Sequence, residues 1–201
     1  MASDPMPRKL DREAFAEEHL DSEDVQRFDC GAEVWEIEVS DWLKRPLGED
    51  GALSSVRNTD RPGRVWLYRL ANGRLVGYGA LGYTRWRWTK KKDPFLPLTV
   101  ITWCAIQKEF RGLPEGPKGE RYSHKIMNNL ITEAMDDAAT HPILGLVVHP
   151  ENARAIRFYR DYEFEDLEPR KDTLTGVLYN RMALPLDGQA LSRMIEEAKK
   201  K

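Results

Sequence analysis

Apolar residues recur along this chain at spacings that predict alternating helices and strands. The clearest helix is Ser123 to Thr140, where residues three and four positions apart form one apolar stripe. A second apolar face, on Trp35 and Trp42, predicts a helix over Ala32 to Arg45. The near-continuous apolar run Leu98 to Ile106 is rich in β-branched residues and predicts a central strand covered on both faces.

Further strands are predicted on either side of this centre. Residues 64–70 and 74–83 enclose an Ala-Asn-Gly turn and predict a hairpin. Shorter strands are expected at Ile143 to Val148, from Phe164 onward, and within Leu174 to Leu184. We expect a short helix at Asp11 to His19, a loop at Pro46 to Gly63, and a terminal helix at Gln189 to Lys201. This order predicts one α/β domain with a mixed central β-sheet flanked by helices.

The domain is expected to span residues 28–186. Residues 1–27 are polar and are interpreted as an N-terminal extension, and residues 187–201 as a C-terminal helix or tail.

Composition excludes several classes of protein. A hydrophobic fraction of 41% and a charged fraction of 32% fit a soluble globular protein. No apolar run approaches the ~20 residues of a membrane span, and no apolar stretch follows the first charges as in a signal peptide. We therefore expect a cytoplasmic protein without a membrane partner. A formal net charge of -2 argues against a protein that is basic throughout and coats nucleic acid.

The two cysteines and four histidines predict neither disulfides nor metal. Cys30 and Cys104 suit reduced thiols better than a disulfide framework. The histidines show no ligand spacing with each other or with the cysteines, so no metal site is expected.

The stretch from His141 to Asp166 has a specific arrangement. A buried strand ending at Val148 is followed by a break at His149-Pro150-Glu151. Asn152 stands where a helix N-cap belongs. Apolar and aromatic residues then recur at helical spacing: Ala155, Phe158, Tyr159 and Tyr162.

This stretch resembles the signature N-x-x-A-x-x-[LF]-Y-x-x-x-x-F of the GNAT superfamily, the acetyl-CoA-dependent N-acetyltransferases. The matching residues are Asn152, Ala155, Phe158, Tyr159 and Phe164. Tyr162 stands where that family usually has glycine, or one residue before it.

The resemblance implies a fold with splayed central strands and a site for acetyl-CoA. Asn152, with Ala155 beside it in the signature, is expected to contact the pantetheine arm. Tyr159 is expected to point at the thioester sulfur and to protonate the leaving thiolate. The ordinary alternative is that Tyr159 is a core aromatic residue.

A second match lies just before the predicted helix at Ser123. In GNAT proteins this segment reads [RQ]-x-x-G-x-[GA], and its backbone N–H groups bind the pyrophosphate. Here it comprises Lys118, Gly119, Glu120, Arg121, Tyr122 and Ser123. Lys118 takes the first position and Ser123 the last, whereas Arg121 replaces the expected glycine. In a second alignment with the family pattern, Arg111-Gly112 marks the exit of the central strand and an inserted loop follows it. The two alignments can hold at once.

The remaining candidate residues concern the acetyl group and the proton. Cys104, Ala105 and Ile106 are expected to hold the acetyl carbonyl through strand backbone, with CoA between the splayed strands. A covalent role for Cys104 is disfavoured because an apolar setting raises a thiol pKa. His149 is a candidate general base because its ordinary pKa is near neutrality. Glu109, a water chain or an already neutral amine are alternatives.

Two further segments bear on the acceptor. The sequence FDCG at Phe28 to Gly31 resembles the start of a GNAT subgroup that includes toxins acetylating aminoacyl-tRNA. Thr84 to Lys92 alternates arginine with tryptophan and then has three lysines, a pattern that suits RNA or, more simply, a half-buried strand.

The sequence thus predicts an N-acetyltransferase that moves acetyl from acetyl-CoA to a primary amine by direct attack. The acceptor could be a small molecule, a protein or an aminoacyl-tRNA, and a homodimer is left open. The alternatives are a catalytically degenerate acyl-CoA-binding protein and a toxin-like acetyltransferase acting on aminoacyl-tRNA.

Overall fold

The computed structural model describes residues 10–60, 62–87, 95–114, 119–171, 176 and 178–186, without the side chains of residues 86, 87 and 168. Over these residues, strands and helices follow one another as β1 Leu10–Ala14, α1 Glu17–Leu20, α2 Glu23–Gln26, α3 Val34–Lys44, α4 Ala52–Arg57, β2 Arg64–Leu70, β3 Leu75–Arg87, β4 Phe95–Ile106, α5 Tyr122–Thr140, β5 Gly145–Val148, α6 Ala153–Arg160, β6 Glu165–Lys171 and β7 Leu178–Pro185. A short 3-10 helix, Lys108–Phe110, follows β4.

The described strands form a mixed sheet in the order β1-β2-β3-β4-β5-β7-β6. Strands β4 and β5 are parallel, whereas β1 with β2, β2 with β3, β5 with β7 and β6 with β7 are antiparallel. The predicted α/β class with a mixed sheet and flanking helices is confirmed.

Two compact units divide the chain, and the first comprises Met1–Gly82 and Thr102–Leu130. Its core is centred on Tyr78, whose ring stacks on Trp42 at 5.8 Å. The buried Tyr78 hydroxyl donates a hydrogen bond of 2.6 Å to the carbonyl of Val39 in α3. On the other side of β3, a Cβ at Gly79 would lie 2.9 Å from Leu130, so glycine lets α5 approach the strand closely.

The second unit comprises Tyr83–Ile101 and Ile131–Lys201. Its core contains Leu96, Leu98, Val147 and Ala183. The parallel ladder of β4 and β5 consists of the pairs Thr99–Leu146 and Val100–Val147. Strand β5 continues to pair with β7 as far as Val148 and Met182. The last β4–β5 pair is one residue before the end of β5, and β4 continues to Ile106. The predicted separation of the two strands stays a prediction.

Several predicted elements need correction. The helix expected at Asp11 to His19 is wrong over residues 11–14, which pair with β2 as strand β1. The loop expected at Pro46 to Gly63 contains helix α4, anchored by the buried Ala52 and Leu53. In both cases, contacts with distant segments decide the conformation.

The domain limits stay predictions, although the structure bears on one of them. Within residues 1–27, Phe15 and Val25 are buried in the core of the first unit. The helix predicted at Gln189 to Lys201 lies outside the described residues.

Candidate active site

The segment joining β5 to α6, in the second compact unit, carries a first group of candidate site residues. All four residues of β5 are buried. Asn152 has an extended backbone, and its Oδ1 accepts a hydrogen bond from the amide of Ala155 at 2.9 Å. Asn152 therefore caps α6, as the sequence predicts. Because the cap uses the oxygen, the Nδ2 amide group is the part of this side chain suited to a ligand.

Tyr159 is the buried residue of α6. Its side chain is 9% exposed, and its ring lies 5.4 Å from the ring of Phe164. The opposite side of α6 is exposed and carries Arg154 and Arg157. The helix thus places a packed tyrosine on one face and cations on the other.

The end of α6 shows where this chain departs from the family signature. Glu163 has a positive φ of 64°. Its amide donates to the carbonyl of Arg160 at 2.9 Å, and the amide of Phe164 donates to Tyr159 at 3.2 Å. This is a Schellman motif, which usually has glycine at the left-handed residue. The position is one residue after Tyr162 and is occupied by glutamate.

His149, the candidate base, lies just beyond β5 and is partly open to solvent. Its ring meets that of Tyr179 edge-on at 4.9 Å. Partial burial, and then the positive charge of Arg181, lower the pKa of His149 below its ordinary value of 6.5. His149 is therefore neutral at pH 7 and can accept a proton.

The start of α5, in the first compact unit, carries a second group of candidate site residues. The carbonyl of Arg121 accepts the amides of His124 and Lys125 at 3.0 and 3.1 Å, and the Arg121 side chain is exposed. The first turn of α5 contains no acidic residue. Helix starts usually favour acidic side chains, so a basic first turn fits an external anion such as pyrophosphate. Gly119 precedes this turn, Tyr122 and Ser123 lie in it, and Lys118 lies outside the described residues.

Pro114 and Arg121, on either side of the predicted inserted loop, form an isolated antiparallel bridge. The two alignments stay predictions. No sequence pattern indicates the partner of Arg111, whose guanidinium pairs with the buried carboxylate of Glu36, 75 residues away.

The end of β4 carries the residues expected to hold the acetyl carbonyl. Ala105 is buried, whereas Cys104 and Ile106 are half-buried. Burial, and then the nearby Cys30, raise the pKa of Cys104 to about 12. The thiol stays protonated at neutral pH, which argues against a covalent role. Glu109 is paired with Arg74 at 2.7 Å.

Three other sequence predictions concern residues of which the structure describes only a part. Thr84 to Arg87 of the cationic strip lie in β3, and residues 88–94 lie outside the described part of the chain. Within that part, no helix is long and apolar enough to cross a bilayer. The same residues contain no group of three or more potential metal ligands.

The chain belongs to the acetyltransferase (GNAT) family, whose profile matches residues 29–164. It is a single GNAT domain built on the mixed sheet described above. No curated protein matches the sequence.

Solved structures of low sequence identity share this fold. One is a mutant AtaT toxin bound to the C-terminus of the antitoxin AtaR and acetyl-CoA, with 19% identity, a TM-score of 0.61 and coverage of 90% of this chain and 95% of that chain. Another is a KacTA–DNA complex, with 19% identity, a TM-score of 0.61 and coverage of 96% and 100%. A third is AtaT complexed with acetyl-methionyl-tRNAfMet, with 19% identity, a TM-score of 0.60 and coverage of 92% and 99%.

Proposed function

We propose that this protein is an N-acetyltransferase that transfers acetyl from acetyl-CoA to a primary amine by direct attack. The observation that carries the proposal is α6, which begins with the Asn152 cap and buries Tyr159, inside the region that matches the GNAT family. Tyr159 protonates the leaving thiolate, and His149, neutral at pH 7, accepts the proton of the attacking amine.

The remaining roles follow from the family resemblance and from the chemistry of each segment. Backbone groups of Cys104, Ala105 and Ile106 bind the acetyl carbonyl, and Asn152 with Ala155 contacts the pantetheine. The pyrophosphate lies at the start of α5, where residues 118–123 supply backbone N–H groups and Arg121 supplies a cation.

Calorimetric titration with acetyl-CoA, followed by thiol release with a panel of amines, tests the proposal. Binding with thiol release supports it. Binding without release from any amine supports the acyl-CoA-binding alternative instead. A ligand that binds only the native state adds about 2.7 kcal/mol of stability at a hundredfold excess over its dissociation constant. An unchanged melting temperature at millimolar acetyl-CoA therefore contradicts both the acetyltransferase and the acyl-CoA-binding hypotheses.

For the acceptor, we propose an aminoacyl-tRNA and therefore a cytoplasmic enzyme. Two observations favour this class: the FDCG segment, and the similarity of the fold to AtaT, which has been solved with acetyl-methionyl-tRNAfMet. Incubation with labelled acetyl-CoA and charged or uncharged tRNA tests it. Label in charged tRNA alone supports the proposal, and label only in small amines or proteins contradicts it.

A further inference from the structure

Gly31, in the FDCG segment, makes room for a buried carboxylate. Its φ of 140° lies in a region that residues with a Cβ rarely adopt. A Cβ at this position would stand 2.1 Å from Oε2 of Glu36. The Gly31 amide also donates to Oδ1 of Asp29 at 2.8 Å. The turn thus requires glycine for its backbone and for the space that Glu36 fills.

Glu36 is 6% exposed and lies at the start of α3. Its carboxylate accepts the amide of Glu33 at 2.9 Å and the guanidinium of Arg111. These two bonds hold the pKa of Glu36 below its ordinary value. The guanidinium carbon of Arg111 also lies 5.7 Å from the centre of the Trp35 ring. Removing the guanidinium would leave the buried carboxylate of Glu36 without its charged partner.

Arg111 directly follows the 3-10 helix Lys108–Phe110, which the FDCG segment holds at a second point. The Lys108 amide donates to the carbonyl of Asp29 at 2.9 Å, and the Lys108 ammonium pairs with the Asp29 carboxylate. The 3-10 helix is therefore attached to FDCG by backbone and by charge.

The 3-10 helix in turn contacts the first residue of α5. Phe110 is 4% exposed, and its ring meets that of Tyr122 edge-on at 5.9 Å and 87°. The Tyr122 amide donates to the carbonyl of Leu113 at 3.4 Å. All these residues belong to the first compact unit, so a continuous set of contacts joins Gly31 to the start of α5.

We propose that Gly31, Glu36 and Arg111 are positioning residues that set the first turn of α5 for the pyrophosphate of the acyl-CoA. The proposal rests on the proposed function. It gives the FDCG segment a role in cofactor affinity. Arg111 acts through Phe110 and Tyr122, with its own guanidinium occupied by Glu36.

Gly31→Ala tests the first link, with Gly48→Ala as a matched control. Gly48 also has a positive φ, of 98°, but a Cβ there would meet nothing within 4 Å. The expected result is about a tenfold rise in the Kd for acetyl-CoA in Gly31→Ala, since small misplacements of binding groups are costly. The kcat at saturating acetyl-CoA and the Kd of the control stay near those of the unsubstituted protein. An unchanged Kd in folded Gly31→Ala overturns the proposal.

A double-mutant cycle with Glu36→Gln and Arg111→Gln tests the second link. Each variant is expected to raise the Kd, and the double variant to raise it no further than the more affected single variant. If Arg111→Gln and Glu36→Gln act additively, Arg111 contacts the ligand itself and the proposal fails. A lower melting temperature with unchanged Kd in all three variants shows a purely structural role and also overturns it.

Hydrogen exchange without ligand separates this inference from the proposed function. Amides of residues 122–126 are expected to exchange faster in Gly31→Ala than in Gly48→Ala. If the unsubstituted protein fails to bind acetyl-CoA, the proposed function falls, while this measurement still reports whether Gly31 sets the turn. Equal exchange in the two variants overturns the coupling itself.

Discussion

The amide of Phe164 donates a hydrogen bond to the carbonyl of Tyr159, with 3.2 Å between nitrogen and oxygen. This bond closes α6 directly after the candidate catalytic residue. It requires a left-handed residue between the two, and this chain uses Glu163 with a φ of 64°. The helix end therefore stores backbone strain that glycine would remove.

Glu163→Gly is expected to stabilise the protein. A left-handed backbone costs a residue with a Cβ about 1–2 kcal/mol, and the greater freedom of glycine in the unfolded chain offsets about 0.5–1 kcal/mol. The free energy of unfolding should rise by about 0.5–1 kcal/mol in urea denaturation. Glu163→Ala keeps the Cβ and serves as the control. A gain of equal size in both variants would show that the glutamate side chain, rather than the backbone, is unfavourable.

Asn152→Asp is expected to separate capping from ligand binding. Aspartate caps a helix as well as asparagine does but lacks the amide donor, whereas alanine loses the cap at about 1 kcal/mol. Stability should fall only in Asn152→Ala, and affinity for acetyl-CoA should fall in both variants. Calorimetry and urea denaturation measure the two effects. Full affinity in Asn152→Asp would restrict Asn152 to a structural role.

Tyr159→Phe is expected to keep the fold and cofactor binding but to lose turnover. Removing one oxygen preserves the ring that packs on Phe164, so stability changes little. General acid catalysis is worth ~10²–10⁴-fold, and a thiolate needs the lower half of that range. Steady-state kinetics should show a lower kcat at nearly constant KM for acetyl-CoA. An unchanged kcat at neutral pH would leave Tyr159 as a core aromatic residue.

The pH dependence tests His149. Its pKa lies below 6.5 in the folded protein, so the neutral base is fully present above that value and is lost as the pH falls through the lowered pKa. The acid limb of kcat/KM should therefore lie below pH 6.5 and disappear in His149→Gln. The free energy of unfolding also decreases as the pH falls through this range, because His149 binds its proton more tightly in the unfolded chain. An acid limb that persists in His149→Gln would indicate that the amine itself titrates.

The exposed side of α6 tests the acceptor class. If the acceptor is a tRNA, Arg154→Gln with Arg157→Gln should lower kcat/KM for charged tRNA and weaken its salt dependence, with acetyl-CoA affinity unchanged. The control is Arg27→Gln, which removes a cation that pairs with Glu23 of α2. An equal loss in both variants would reflect total charge rather than contact by α6.

Much of the fold and of the α6 part of the site could be predicted because their determinants are local. The Asn152 cap, the aromatic spacing of α6 and the apolar stripe of α5 depend on residues within a few positions of each other. The apolar run of β4 and the Asn-Gly hairpin are equally short-range signals. The strongest motif, residues 152–164, is one such segment, so a sequence resemblance could identify it.

Tertiary structure decided the features that join distant segments. Strand β1 has an LDREA sequence with one buried residue, and only its pairing with β2, more than 50 positions away, makes it a strand. The bridge between Pro114 and Arg121 likewise joins residues on either side of the predicted inserted loop. Glu36 and Arg111 are both ordinary charged residues in sequence, and their pairing follows from packing across 75 positions. Such contacts have no periodicity, because hydrogen bonds and ion pairs between separated segments depend on how the chain folds back on itself.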